Sequence, residues 1–309
     1  MKYAILYDYL QVNGGAERVS LQMLKEFPDA RLIVSSVNHH SFSEADLAGN
    51  DILSLSSFSS LAPVRILKSI YDFGYSQSYI NQYDSVIYSG FYSPLAIAQR
   101  EAGNNFYYCH TPPRYFYDLK DYYHSKLNPI NRVFLHWYCS WFQHQYEQAV
   151  EQMDVVIANS TNVQNRLKKY LNIDAQVIYP PVDIERFQWQ SQGNYYVSLA
   201  RLEPYKQVDK IIEAFKKMPE KQLIVASGGS DYQRLLELAG TAENISFTGW
   251  YSDAELEGML SNAIASIYLA RDEDFGLSPV ESQAAGKPVI GMAQGGLLET
   301  VRHGETGYL

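Results

Sequence analysis

The chain has 309 residues, 46% hydrophobic and 19% charged, a composition that excludes disorder and a length that suits two domains. Its net charge of −9 divides evenly, −4 over residues 1–185 and −5 over 186–309, which excludes non-specific nucleic-acid binding through a basic surface. Cys109 and Cys139 make neither a disulfide framework nor a zinc cluster, and no apolar run is long enough for a membrane helix, so the chain reads as cytoplasmic and reduced.

The opening run, MKYAILYDY, is too short for a signal peptide and reads as a first strand, Tyr3–Tyr9. Further strands are expected at Arg31–Ser35, Ser85–Ser89, Asn105–His110, Val155–Asn159 and Gln176–Tyr179. A second series covers Tyr195–Ala200, Gln222–Ala226, Ile245–Thr248, Ala265–Leu269 and Pro288–Gly291. Most are continuous apolar runs rather than alternating ones, the pattern of strands buried on both faces of a parallel sheet. Helical patterns lie between them at Ala16–Glu26, Pro129–Gln152, Val163–Tyr170, Val208–Lys217, Tyr232–Ala239, Ala254–Leu260 and Pro279–Ala285. This repetition predicts doubly wound α/β layers. Pro180-Pro181 and the polar run before Tyr195 mark the boundary, giving domains 1–185 and 186–309 on either side of a cleft. In such sheets ligands sit beyond the carboxyl ends of strands, so polar residues just after strands are the candidates for chemistry.

Three loops meet that description. Asn13-Gly14-Gly15-Ala16-Glu17-Arg18 follows the first strand and opens a helix, where glycines let a phosphate or sugar approach the backbone. It lacks the third glycine of a dinucleotide fingerprint, and a plain strand-to-helix turn is an equal reading. Arg201 and Lys206 bracket the loop after Tyr195–Ala200 and suit a diphosphate, one as a fork and one as a point charge; a solvated loop is the bland alternative. In Asp272-Glu273-Asp274-Phe275-Gly276-Leu277-Ser278-Pro279-Val280-Glu281 the chain turns at Gly276 and enters a helix at Pro279. Glu273 on the loop and Glu281 in the helix suit the hydroxyls of one polyol, with the amides of Phe275, Gly276 and Leu277 beside them. The simpler reading is that acidic groups complement the helix dipole. Asp272 and Asp274 lack the further ligands of a metal site.

Together with Asn159-Ser160-Thr161 and Tyr179–Asp183, these loops resemble the family 4 retaining glycosyltransferases, in the family's order from residue 1 to 309. The E-x7-E pair, Glu273 and Glu281, is the most specific match. The resemblance implies a GT-B fold of two Rossmann-like domains facing across a cleft. It also implies a nucleotide-sugar donor, no metal or other cofactor, and transfer with retention. Arg201 and Lys206 would hold the donor phosphates, Glu281 the ribose and Glu273 the sugar. Gly14 and Gly15 would lie under the phosphates or the sugar, and Gly249, Trp250 and Tyr251 near the base. His110, in Tyr107-Tyr108-Cys109-His110-Thr111-Pro112-Pro113-Arg114, matches the family's cleft histidine; catalysis would fall to His110, Glu273, Arg201 and Lys206.

Of the 26 tyrosines, Tyr107, Tyr108, Tyr115, Tyr117, Tyr122 and Tyr123 crowd around His110; Arg114, Tyr115 and Tyr117 are candidates for the acceptor side, while Tyr107 and Tyr108 read as core. From Tyr122 to Tyr146 no acidic residue occurs, and Phe134, Trp137, Tyr138, Trp141 and Phe142 fall on one helix face. Core packing is the first reading of that face. The second, with Lys126 and Arg132, is peripheral contact with an anionic membrane carrying a lipid-linked acceptor. The function expected is hexose transfer from a GDP-mannose or UDP-glucose type of donor to a glycan or lipid-linked acceptor, in surface polysaccharide or glycolipid synthesis. A non-catalytic nucleotide-sugar binder, or an epimerase-like enzyme on the same fold, is the alternative. Relative to the family, the sequence stops in mid-domain at Leu309, as a C-terminally truncated chain would.

Overall fold

A computed structural model describes every residue except 13, 43–46, 77 and 126–127, so Asn13 and Lys126 lie outside the described residues, as do the side chains of 78, 129–131 and 134. The chain divides into two units, Met1–Pro181 and Val182–Leu309.

The first unit carries β1 (Tyr3–Tyr7), β2 (Ala30–Val34), β3 (Ile52–Ser54), β4 (Ser85–Ser89), β5 (Asn104–Cys109), β6 (Val155–Ala158) and β7 (Gln176–Val177). They form one parallel sheet in the order β3-β2-β1-β4-β5-β6-β7. The central strand explains the continuous apolar runs. Ala4 and Leu6 pack into one cluster with Phe73, Phe142 and Tyr146, while Ile5 and Tyr7 pack into another with Leu24 and Phe42. Both faces are therefore covered, and neither tolerates a polar alternation.

The second unit repeats the plan with β8 (Tyr195–Ser198), β9 (Gln222–Ala226), β10 (Ile245–Gly249), β11 (Ser266–Tyr268), β12 (Val289–Gly291) and β13 (Gly307–Tyr308), in the order β10-β9-β8-β11-β12-β13. In each sheet the order reverses beside the first strand, between β1 and β4 and between β8 and β11. Such a switch point opens a crevice at the carboxyl edge.

Side-chain caps mark the start of two helices. Ser160 accepts from the Val163 amide at 3.0 Å to start Thr161–Leu171, and Asn172 ends it in the left-handed conformation. Ser252 and Glu255 form a reciprocal capping box ahead of Asp253–Asn262.

Several expectations need correction. The helix expected from Pro279 begins at Leu277, with Gly276 as its cap at φ +94°; proline fits there because the whole first turn leaves its N–H groups unused within the helix. Strand β1 ends at Tyr7 rather than Tyr9, because Asp8 turns to serve as an acceptor for another loop. Helix Ala62–Gly74 and β3 were not foreseen. That helix has one broad apolar face of which only part is covered: Ile70 and Phe73 are buried, while Val64, Leu67 and Tyr71 are exposed. In helix Pro129–Glu151, Phe142 is buried and Tyr138 and Trp141 pack on the core, but Trp137 is 69% exposed. The buried seam runs through Leu135, Tyr138, Cys139, Phe142 and Tyr146, and Trp137 lies about 100° away from Tyr138 around the helix.

Candidate functional site

At the carboxyl edge of the second sheet, the loops after β8, β9, β11 and β12 are tied to one another by backbone. The Leu202 amide donates to the Gly228 carbonyl at 3.0 Å, and the Asp231 amide to the Leu202 carbonyl at 2.9 Å. Arg271 N–H donates to Tyr205 at 3.0 Å, and Gly296 N–H to the Glu273 carbonyl at 2.7 Å. Two glycine pairs make this closeness possible. A Cβ on Gly229 would strike the Leu202 backbone, and one on Gly296 would lie 2.5 Å from the Phe275 Cα. Neither pair, Gly228-Gly229 nor Gly295-Gly296, was singled out in the sequence, although each follows a strand within five residues.

The charged centre of this edge sits at the switch point. Lys206, from the loop after β8, donates to the Glu273 carboxylate at 2.5 Å, and Glu273 comes from the loop after β11. The Tyr268 phenol, at the end of β11, accepts from Lys206 at 3.2 Å and donates to the same Glu273 oxygen at 3.1 Å. The Lys206 ammonium also lies 5.4 and 5.5 Å from the ring centres of Tyr205 and Tyr268. Burial works against its charge, but Glu273 and the two tyrosines outweigh that and hold its pKa above the ordinary lysine value. Burial and the neighbouring carboxylate push the Tyr268 phenol up, so it stays protonated.

The other expected donor residues take separate places on this unit. Glu281 is 4% exposed inside helix Leu277–Ala284. Arg201 is exposed. Gly249 has φ +72°, and Trp250 after it is 63% exposed with its indole lying against Gly228. Tyr251 is half-buried and packs beneath with Leu256. Gly276 and Leu277 begin the helix, and Phe275 is buried.

In the first unit, His110 follows β5. Its Nε2 lies 2.8 Å from Ser89 Oγ at the end of β4, and Tyr7 and Tyr108 meet the ring edge-on at 6.4 and 5.3 Å. Burial lowers its pKa to about 4, so the imidazole is neutral at pH 7. Asp8, expected inside the first strand, accepts from the amides of Phe91, Tyr92 and Ser93 at 2.6, 2.8 and 2.9 Å. Burial raises its pKa to about 6 against the pull of those three amides. Gly14 caps helix Gly15–Glu26 in extended conformation, and Gly15 is its first residue.

The residues considered for an acceptor are engaged in packing or pairing. Tyr117 donates to Glu147 at 2.9 Å and stacks on Tyr170, Tyr115 sits among Phe91, Phe116 and Tyr138, and Arg114 pairs with Asp118. Tyr107 bonds to the Gly90 carbonyl and Tyr146, as a core residue does. Among the described residues, no three His, Cys, Asp or Glu side chains come together. Among the same residues, no helix is long and apolar enough to cross a membrane.

Two doubly wound parallel-sheet units in one chain, with glycine-rich loops at the switch point of the second, define a GT-B fold. Across 100% of its length and 85% of the other chain, the fold is similar to that of Anabaena Alr3699/HepE, solved in complex with UDP and glucose, with a TM-score of 0.73 at 19% identity. Residues 13–186 match the model of glycosyltransferase family 4 and residues 181–309 that of glycosyl transferases group 1; the chain belongs to this glycosyltransferase family. It is 28% identical over 186 residues to the D-inositol 3-phosphate glycosyltransferase of Mycobacterium leprae, which is 53% of this chain and 44% of that one. It is also 28% identical over 159 residues, 48% and 45% of the two chains, to the O-antigen chain mannosyltransferase RfbU of Salmonella typhimurium. The chain thus spans under half the length of these curated relatives.

Proposed function

We propose that the protein is a retaining hexosyltransferase, with a nucleotide sugar of the UDP-glucose or GDP-mannose type as donor and a glycan or lipid-linked glycan as acceptor. The observation that carries this reading is the Lys206–Glu273 pair at the switch point of the second sheet, framed by two glycine pairs and followed by the buried Glu281. Membership in the family and the UDP and glucose bound by Alr3699/HepE support it.

In this reading Lys206, Arg201 and the amides of Phe275, Gly276 and Leu277 stabilise the two negative charges of the departing diphosphate without a metal ion. Glu281 accepts from the ribose hydroxyls and Glu273 from the sugar. The acceptor hydroxyl attacks the anomeric carbon on the face the diphosphate leaves, the bond from that carbon to the phosphate oxygen breaks, and the phosphate takes the acceptor's proton. His110, neutral by burial, serves as a hydrogen-bonding partner for sugar hydroxyls rather than as a cation. Gly14 and Gly15 keep the turn before their helix free of side chains, so that a phosphate or sugar can approach its backbone. Exposed Val133 and Trp137 beside Arg132 support peripheral contact with an anionic membrane.

Incubation with UDP-glucose or GDP-mannose and a lipid-linked glycan fraction tests the reading. Release of nucleoside diphosphate, lost in Glu273→Gln, is expected. Binding without release would favour a non-catalytic sensor on the same scaffold, and a glycosyl adduct trapped on Glu273 would overturn same-face attack. Failure of the protein to float with anionic vesicles would remove the membrane contact.

A further inference from the structure

The Lys206–Glu273 pair joins two groups that are poorly fixed on their own. Lysine has a long flexible stem with substantial rotamer entropy, and Glu273 lies on a loop. An ion pair alone is tolerant of geometry, because Coulomb attraction falls off slowly and has little direction. Tyr268 differs on both counts. It is the last residue of β11, its ring is buried in the sheet core with Ile267 and Leu297, and it has two rotatable bonds before the ring plane is set.

Its hydroxyl spends one proton on Glu273 and one lone pair on Lys206, so both ends of the pair are referred to a rigid strand. Lys206 has three N–H donors, and Glu273 and Tyr268 take two of them. With those two directions fixed, the direction of the third N–H is fixed as well. A phenylalanine at 268 would fill the same core volume without bringing a phenol into a buried, charged cluster, where an unmatched hydroxyl is costly. The hydroxyl is therefore unexplained by packing.

We propose that Tyr268 is a positioning residue of the donor site, which orients Lys206 and Glu273 together toward the diphosphate and the sugar. The inference rests on the function proposed above and adds to it the group that sets the geometry of its two central charges.

Calorimetric titration with UDP-glucose and with GDP-mannose tests it on wild type, Tyr268→Phe, Glu273→Gln and the double variant. Wild type is expected to bind one of the two donors, and Tyr268→Phe to bind that donor about tenfold more weakly, the scale of a lost hydrogen bond to a charged group. In the Glu273→Gln background the same substitution is expected to cost less, about threefold or under, because one of the two charged groups it positions has gone. Additive losses in the double variant, or wild-type affinity in Tyr268→Phe, would overturn the proposal while leaving the donor site standing. Absence of binding in wild type would overturn the donor reading and this proposal with it. Thermal melting of the four proteins separates a folding defect from a binding one, since a merely structural tyrosine would lower the melting temperature without a matching loss of donor affinity.

Discussion

The two units share one sheet plan but differ in what they place at its carboxyl edge. The second unit presents charge held by charge: Lys206, Glu273 and Glu281 among glycines that let backbone loops touch. The first presents rings and groups that burial keeps from their ordinary ionisation. It holds 19 of the 26 tyrosines, a neutral His110 and an Asp8 whose pKa is raised to about 6. In the function proposed above, the charged edge would serve the leaving diphosphate and the aromatic one the sugar hydroxyls. The same topology serves both because function sits in loops and the sheet only aims them.

The largest effects should come from breaking the charged edge. Lys206→Met leaves the part-buried Glu273 beside Tyr268 without its cation, a change that costs about 3–5 kcal/mol in fully buried pairs and should reach a large share of that here. Denaturant unfolding should show that loss, and turnover should fall by roughly 10²–10³-fold as a preorganised donor is removed. An unfolding midpoint equal to wild type would mean that the pair adds nothing to the fold.

The aromatic edge predicts a contrast within one helix. Phe142→Ala, at a fully buried position, should cost about 3–5 kcal/mol. Trp137→Ser, on the exposed side, should stay within about 0.5 kcal/mol. Equal costs would contradict the orientation described for helix Pro129–Glu151.

The ionisable groups of the first unit make a pH signature. His110 is neutral in the fold with a pKa of about 4 against 6.5 when free, so its contribution is complete above pH 6.5 and is lost as pH falls toward 4. Asp8 runs the other way. With a folded pKa of about 6 against 3.8, its contribution is complete below 3.8 and is lost as pH rises through 6. The two oppose each other between about pH 4 and 6. His110→Asn should therefore gain stability relative to wild type as pH falls across that window, by roughly 3 kcal/mol at its acid end. A pH-independent difference in melting temperature would sink the assignment.

A smaller effect should follow from the loop contacts of the second unit. Gly229→Ala drives a methyl into the Leu202 backbone and should cost about 1–3 kcal/mol, whereas Gly249→Ala meets open space and should show only the penalty of its positive φ. The ratio of their donor affinities measures whether the loop after β9 is part of the site.

Most of the scaffold was legible in the sequence because buried parallel strands leave continuous apolar runs, as at Ser85–Ser89 and Gln222–Ala226. Glu273 and Glu281 were legible because they flank a glycine turn that ends a strand and begins a helix. Tyr268 was not: inside an apolar strand nothing marks which phenol faces a charge. Asp8 was hidden in the same way, since its partners, the amides of residues 91–93, lie on another loop far along the chain. Trp137 and Tyr138 are neighbours in sequence, and only the packing of the helix decides which one is core.

The central claim is that the switch-point crevice of the second unit binds a nucleotide sugar through Glu281 and the Lys206–Glu273 pair. A thermal-shift panel of UDP-, GDP- and ADP-sugars on wild type and Glu281→Ala tests it most directly. The account predicts that one class of nucleotide sugar raises the melting temperature of wild type and leaves Glu281→Ala unmoved. No stabilisation by any of them, or equal stabilisation of both proteins, would contradict it.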